Sequence, residues 1–316
     1  MLPIFDAHAD TISHLLKTGQ SLRRNNAQID LTRPIKNHAQ FFAFWGHSYD
    51  GLMATFQHEI QANAQSIMLC KSVQDCKDAW KNGKLAAFLS IEGAEVIDCQ
   101  IERIDSIYTD GVRMMGLTWN HANALCGSCM EDTQRGLSVQ GRQFVKRAFD
   151  LGVMIDLSHA GAAAIKDALD VAQETGGTVL FSHSNSRRCC DHLRNITDEQ
   201  FKKIQSINGV VGLNLYAPFV AGTDNASWEN VVEHLEHWMN LSGENIIALG
   251  GDWDGCYNDD GTYNMVNSVK GLDEYGVLCD ILTKRGWTAA QLDKLFYKNM
   301  MRLVESCTTS VPATTH

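Results

Sequence analysis

The chain has 316 residues, 44% hydrophobic and 20% charged, with 4 Pro, an ordinary globular composition that leaves no room for a long disordered tract. Its net charge is -10, and Arg23-Arg24 and Arg187-Arg188 are isolated pairs with no basic stripe, which excludes general nucleic-acid binding. No apolar run approaches the ~20 residues needed to span a bilayer, and Asp6, His8 and Asp10 interrupt any apolar leader, so a cytoplasmic protein without membrane attachment is expected.

Short β-rich apolar runs alternate with helical stretches along the chain, the pattern of a parallel α/β fold. Strands are predicted at 2–8, 40–46, 85–91, 112–118, 153–158, 179–183, 210–215 and 246–251. Several show little alternation, as strands covered on both faces do. Between them, 138–151 places Phe144, Val145, Ala148 and Leu151 on one helical stripe. Thr197 reads as the cap of a helix whose box Gln200 closes, and 228–241 and 288–306 supply two more helices. Eight strands with intervening helices predict a (β/α)8 TIM barrel, with a doubly wound sheet as rival. No repeat or linker interrupts it, so residues 1–316 read as one domain.

The chemistry gathers at strand ends. In Ile4-Phe5-Asp6-Ala7-His8-Ala9-Asp10, an apolar run ends in His-x-Asp, and residues i and i+2 of a strand project from one face. An imidazole beside a carboxylate is a half-site for a divalent metal. Glu92, His159, His183 and Asp252 close four further strands. Singly, Glu92 could cap a helix and either histidine could sit satisfied in the core; jointly, six metal-type residues at one end of five strands favour a metal site. The ten cysteines are scattered, consistent with a reducing compartment. Cys126-Gly127-Ser128-Cys129 is a lone CxxC, open to a redox or zinc role but favoured as two free loop thiols. The stretch 252–260 loosely suggests a calcium loop but lacks EF-hand spacing and the closing Glu.

These segments resemble the renal (membrane) dipeptidase family, peptidase family M19 of the amidohydrolase superfamily. The resemblance is carried in order by Asp6-Ala7-His8-Ala9-Asp10-Thr11, Ser90-Ile91-Glu92-Gly93, Leu117-Thr118-Trp119-Asn120-His121, Ile155-Asp156-Leu157-Ser158-His159, Ser182-His183-Ser184-Asn185, Arg194-Asn195 and Gly250-Gly251-Asp252-Trp253-Asp254-Gly255, with Asn299-Met300-Met301-Arg302-Leu303 like the family's closing helix. It departs at Gly93-Ala94-Glu95, where the renal enzyme has a second glycine and then a histidine.

The resemblance implies a zinc-dependent dipeptidase with two Zn2+ per chain, a site that Mn2+ or Co2+ could also occupy. It makes His8 and Asp10 ligands of one zinc, His159 and His183 ligands of the other, and Glu92 the bridge; no lysine stands where related hydrolases carry a carboxylated one. A water bridging the metals would lose a proton near neutral pH and attack the peptide carbonyl. Asp252 is the implied acid/base, ahead of Asp254; His121 would steady the oxyanion; Arg194, ahead of Arg187 and Arg188, would pair with the substrate carboxylate. The implied substrate is a dipeptide, L at its N-terminal side and D-tolerant at its C-terminal side, and family members are often homodimers. The alternatives are another binuclear amidohydrolase acting on an ester, lactone or cyclic amide, and a silent metal-binding scaffold, whose mark would be a missing ligand.

Overall fold

The computed structural model describes residues 2–33, 36–257 and 262–309. Nine strands run in chain order: β1 (Ile4–Ala9), β2 (His38–Phe44), β3 (Ile67–Leu69), β4 (Leu85–Ile91), β5 (Val112–Gly116), β6 (Met154–Asp156), β7 (Val179–Ser184), β8 (Val210–Leu213) and β9 (Ile247–Leu249). Eight of them close a parallel ring in the order β1, β2, β4, β5, β6, β7, β8, β9 and back to β1, with helices between the strands, the (β/α)8 barrel that the alternation predicts. The ninth, β3, pairs with β4 over Leu85–Ala87 and leaves the later half, Leu89–Ile91, to β5. Only three residues long and partly exposed, β3 has an apolar run, Ile67-Met68-Leu69, too short to announce a strand.

The lumen is packed, not open. One apolar cluster takes Phe5, Phe41, Phe88, Met114, Met154, Leu180, Val210 and Ala248, one from each barrel strand. Phe5, Phe41 and Phe88 stand within 5.1–5.8 Å of one another, ring centre to ring centre. Met300, Leu303, Val304 and Cys307 of helix Asn299–Thr309 pack on the same cluster. The barrel interior is thus dry and gives the polar C-terminal mouth a rigid floor.

Helix starts follow the expected capping chemistry. Ser138 accepts the Gly141 N–H ahead of helix Val139–Asp150. Thr197 with Gln200, and Thr288 with Gln291, form complete capping boxes. The last helical stretch is not uniform: it widens into a π-turn at Lys294–Lys298, with Leu295 and Phe296 buried. Immediately after it, Asn299 donates to the main-chain carbonyls of Glu244 (3.0 Å) and Ile247 (2.7 Å), tying the closing helix to β9.

Two buried histidines make the fold acid-sensitive. Burial lowers His38 to about 4 and His234 to about 4. His234 accepts the Ser186 N–H at Nδ1 (3.0 Å) and donates from Nε2 to the Val220 carbonyl (2.9 Å), so protonation would cost it an acceptor. An unfolded histidine titrates near 6.5 and takes up its proton before the folded one, so stability rises with pH between about 4 and 6.5. Each group is worth about 3 kcal/mol across that window. The melting temperature is therefore expected to fall as pH drops from 6.5 towards 4, and His234→Gln to make that fall shallower by up to one proton. Thermal unfolding against pH checks this; a flat profile would contradict it.

Candidate metal centre and active site

Each polar side chain of the site leaves a strand at the same rim. His8 lies in β1 and Asp10 immediately follows it; Glu92 follows β4, His159 lies beyond β6, His183 lies in β7, and Asp252 lies beyond β9. His8 Nε2 is 3.6 Å from Asp10 Oδ2, 3.4 Å from Glu92 Oε2 and 3.9 Å from Asp252 Oδ1. The other Glu92 oxygen, Oε1, is 2.8 Å from His159 Nε2 and 3.5 Å from His183 Nε2. One carboxylate thus divides its two oxygens between His8 on one side and a histidine pair on the other.

The local backbone explains how a few strand ends converge. Asp10 holds the N-cap position of helix Thr11–Thr18 yet makes no capping hydrogen bond, because its carboxylate turns to the cluster instead. The i, i+2 argument for His8 and Asp10 therefore succeeds by another route: β1 ends at Ala9 with a register shift between Asp6 and Ala9. His159 (φ 68°) and Asp252 (φ 61°) sit in the left-handed region, a cost carried at sites that must aim a side chain.

The electrostatics call for cations. Burial, then the charge of Asp10, pushes the Glu92 carboxyl up to about 8, with His8 opposing. Burial works to lower His8, but the nearby negative charges of Glu92 and Asp10 outweigh it and hold that imidazole well above its usual range. Burial and the nearby charges of Arg194 and His8 keep His159 and His183 well below theirs, so both are neutral. His159 Nδ1 is 2.9 Å from Asn120 Oδ1, which assigns its proton to Nδ1 and leaves the Nε2 lone pair facing His183 Nε2 at 3.1 Å. His8 Nε2 and Asp10 Oδ1 are buried without a hydrogen-bond partner. Three groups among the described residues, His8–Asp10–Glu92, Glu92–His159–His183 and His8–Asp156–His183, each bring three ligand atoms within 4.8 Å of one another; the first two share Glu92. Neutral imidazoles, orphaned acceptors and buried carboxylates form a donor set that fits divalent cations.

The two aspartates after β9 part company. Asp252 faces the cluster with Oδ1, while its Oδ2 accepts from Asn214 Nδ2 (2.9 Å) and Cys256 Sγ (3.1 Å). Burial, with Asp10's charge, raises its pKa despite His8. Asp254 does not face the same way, because both aspartates take positive φ (61° and 65°) on either side of the lone bridge residue Trp253, so no strand runs through 252–254. Its oxygens accept from Thr11 Oγ1 (2.7 Å) and the Gln28 N–H (2.5 Å). Among the arginines, Arg194 is buried beside the cluster, with Nη2 3.4 Å from the His183 carbonyl and Nε without a partner. Arg187 is occupied by the carbonyls of His192 and Leu193.

His121 is not brought into the cluster. It is exposed, with Nδ1 3.4 Å from Glu131 Oε2, while its neighbours Trp119 and Asn120 line the cleft above Glu92. Glu95, where the family pattern has histidine, holds this loop by accepting from Thr118 Oγ1 (3.0 Å) and the Trp119 N–H (3.3 Å). The cleft, about 180 Å³, is walled by Trp45, Trp119, Tyr216, Phe219 and Tyr257, and Arg194 with His159 lines an adjoining cavity of about 150 Å³.

The favoured reading of the CxxC as two free thiols agrees with the structure. All ten cysteines are free, and burial pushes the Cys126 thiol up to about 12 and raises Cys129, the reverse of an activated redox pair. The loose calcium-loop match runs into 258–260, which lie outside the described residues. Sequence inspection passed over Asp6 and Asp156, two buried carboxylates that organise the ligands; both stand inside the motifs Asp6-Ala7-His8 and Asp156-Leu157-Ser158-His159.

Gly255 marks how tight the rim is: a Cβ there would lie 2.1 Å from Asp10 Oδ2 and 3.2 Å from Asp252 Oδ1. Gly255→Ala is expected to lower the bound-metal stoichiometry while far-UV circular dichroism stays unchanged. A full metal complement in this variant would show that Asp10 is not held where a ligand must be.

Among the described residues no helix is long and apolar enough to cross a membrane. The chain matches a known family model, membrane dipeptidase (peptidase family M19), over residues 1–314. It is 31% identical over 244 residues to an uncharacterized dipeptidase of Schizosaccharomyces pombe, a match covering 72% of this chain but 56% of the yeast protein. It is also 30% identical over 265 residues to an uncharacterized Klebsiella pneumoniae protein encoded in the pqqA 5' region, covering 80% of this chain and 94% of that one. The fold resembles a metallo peptidase from Rhodobacter sphaeroides liganded with a phosphinate mimic of L-Ala-D-Ala (TM-score 0.86, 21% identity, 97% and 99% of the two chains). It also resembles the probable dipeptidase PvdM of Pseudomonas aeruginosa (TM-score 0.82, 18% identity, 98% and 96% of the two chains). At these identities the solved structures speak for the fold, and the family match, over nearly the whole chain, for kinship: the chain belongs to the membrane dipeptidase family, peptidase family M19, and is an enzyme of that metallo-dipeptidase type.

Proposed function

We propose that the chain, working as one barrel domain over residues 1–316, is a zinc-dependent dipeptidase with two metal ions per chain. The observation that carries this is Glu92, whose two oxygens face separate ligand groups, His8 with Asp10 and His159 with His183. Imidazole and carboxylate donors suit zinc and would also accept manganese or cobalt. When bound, the ions would acidify a shared water into the nucleophile and polarise the scissile carbonyl.

The chain's own residues do the rest. Asp252 Oδ1 takes a proton from the attacking water as the carbon–oxygen bond forms, then delivers it to the departing amine as the carbon–nitrogen bond breaks. Asn214 and Cys256 hold the opposite oxygen, so the carboxylate cannot rotate away. Arg194 receives the substrate's free carboxylate, because it is a buried guanidinium with an unpaired Nε beside His159. The aromatic walls exclude water and restrict the cleft to a short substrate. A solved relative of this fold binds a mimic of L-Ala-D-Ala. We extend that stereochemistry here, with an L residue at the N-terminal side and D tolerated at the C-terminal side. No step is given to His121, whose side chain faces Glu131.

Purified protein is expected to carry about two transition-metal ions per chain, and chelation to abolish dipeptide hydrolysis until metal is restored. Glu92→Ala should lose both metal and activity, whereas Asp252→Asn should keep its metal and lose roughly 10²–10⁴-fold in kcat. Metal analysis alongside initial rates separates the two; full activity in Glu92→Ala would sink the bridge.

A screen of L,L and L,D dipeptides tests the substrate. Arg194→Ala should raise KM sharply for free dipeptides and much less for their C-terminal amides, while His121→Ala stays within about threefold of the parent, since an exposed pair is worth little. Unchanged turnover in Arg194→Ala would favour an ester, lactone or cyclic amide substrate.

A further inference from the structure

One hydroxyl in the molecule touches both halves of the ligand set. Ser182 lies in β7, next to His183, and its Oγ is 2.6 Å from His183 Nδ1 and 3.4 Å from His8 Nδ1. Strands β1 and β7 are not ladder neighbours, so this contact spans the barrel mouth. The imidazoles of His8 and His183 lie 3.8 Å apart between ring centres, tilted by 36°, with Ser182 on their Nδ1 side. The same hydroxyl is 2.5 Å from Asp156 Oδ2 and 3.4 Å from Ser158 Oγ. Asp156 is itself fixed, its Oδ1 accepting the main-chain N–H groups of Ser158 (3.0 Å) and Ser182 (2.9 Å).

The proton count follows from these partners. Ser182 Oγ donates its single proton to Asp156 Oδ2, on the carboxyl whose other oxygen already accepts two N–H groups. The Ser182 oxygen is then left with lone pairs, and both imidazoles must present N–H groups to it. Each Nδ1 therefore carries a proton, and in the neutral, metal-binding form of either imidazole the Nε2 lone pair faces Glu92. We infer that Ser182, anchored by Asp156, sets the tautomer and orientation of His8 and His183 together and so couples the two metal positions through one hydroxyl. This rests on the binuclear centre proposed above. Ser182 and Asp156 are positioning residues: neither reaches the cleft, and both act through the ligands. His159 is oriented independently, by Asn120.

Outer-shell partners of ligating histidines typically change metal affinity 10–100-fold when removed. In competitive zinc titrations, Ser182→Ala is expected to weaken both equivalents by about that factor, and Asn120→Ala only one. Ser158→Ala serves as control: its Oγ lies 3.4 Å from Ser182 Oγ and accepts the His183 main-chain N–H (3.2 Å), but it bonds to neither imidazole, so a smaller loss than in Ser182→Ala is expected. A parent protein that fails to take up two equivalents overturns the binuclear reading itself. A parent that binds two, with Ser182→Ala folded and binding both as tightly or losing only one, overturns the coupling alone. Where Ser182→Ala does not fold, the zinc-loaded parent with nitrogen-15 imidazoles decides: protons on Nδ1 of both His8 and His183 support the assignment, and a proton on Nε2 of either refutes it.

Discussion

The arrangement depends first on how the barrel closes. β1 and β9 share one ladder position, Asp6 opposite Leu249, and beyond the strands the seam continues only through the Ala9–Trp253 bridge, so main-chain pairing here is sparse. The Asp6 side chain does the fastening. Its Oδ1 accepts from the His8 N–H (2.9 Å) and Gln40 Nε2 (3.0 Å), and its Oδ2 from the Gly251 N–H (2.9 Å), Trp253 Nε1 (3.1 Å) and Tyr275 Oη (2.6 Å). A fully buried carboxylate is tolerable only with its lone pairs filled, and five donors fill these. Those donors come from β1, β2, the turn after β9 and a later helix. The same bonds that close the ring therefore fix His8 and Asp10 relative to Asp252.

Much of this could be read from the chain because each strand carries its own signal. Seven of the eight barrel strands overlap their apolar runs by at least three residues, and β4 matches residue for residue. The ligand candidates were visible because metal-type side chains follow such runs at five places. Less legible was anything that depends on side chains meeting through space. Asp6 and Asp156 look like ordinary motif positions until their donors are seen, since those donors come from sequence neighbours and from 26 to 269 residues away. Alternation could not separate Asp252 from Asp254, because positive φ at both breaks the strand geometry that the argument assumed. His121 misled for a related reason: past β5 the chain is a loop, so spacing no longer says which of Trp119, Asn120 and His121 faces inward.

The site also divides its work by polarity. The floor is apolar and supplied by every barrel strand, so the C-terminal rim can carry Asp10, Glu92 and Asp252 in near-complete burial without sharing a water-filled lumen. Three carboxyls so placed are costly together, which is why burial drives Glu92 and Asp252 up rather than leaving them at ordinary values. Cations would relieve that cost by replacing the proton now shared around His8 with charge that all the carboxylates can face. Bound cations would therefore add to the stability of the rim, and the hydrogen bonds around its histidines hold these ligands in place for them.

That preorganisation separates holding from reacting. Each proposed histidine ligand has a named partner fixing its far side: Asn120 for His159, and Ser182 for His183 and His8. Asp252 is restrained differently, through one oxygen only, by Asn214 and Cys256. A group locked at both oxygens could bind a metal but could not exchange a proton without breaking a bond, as Asp254 illustrates with Thr11 and Gln28 on either side. Asp252 keeps Oδ1 toward the cluster and the cleft, and a carboxylate with one anchored oxygen and one free is the form an acid/base needs. Of the two aspartates that sequence could not tell apart, the hydrogen-bond pattern leaves only Asp252 with the freedom to react.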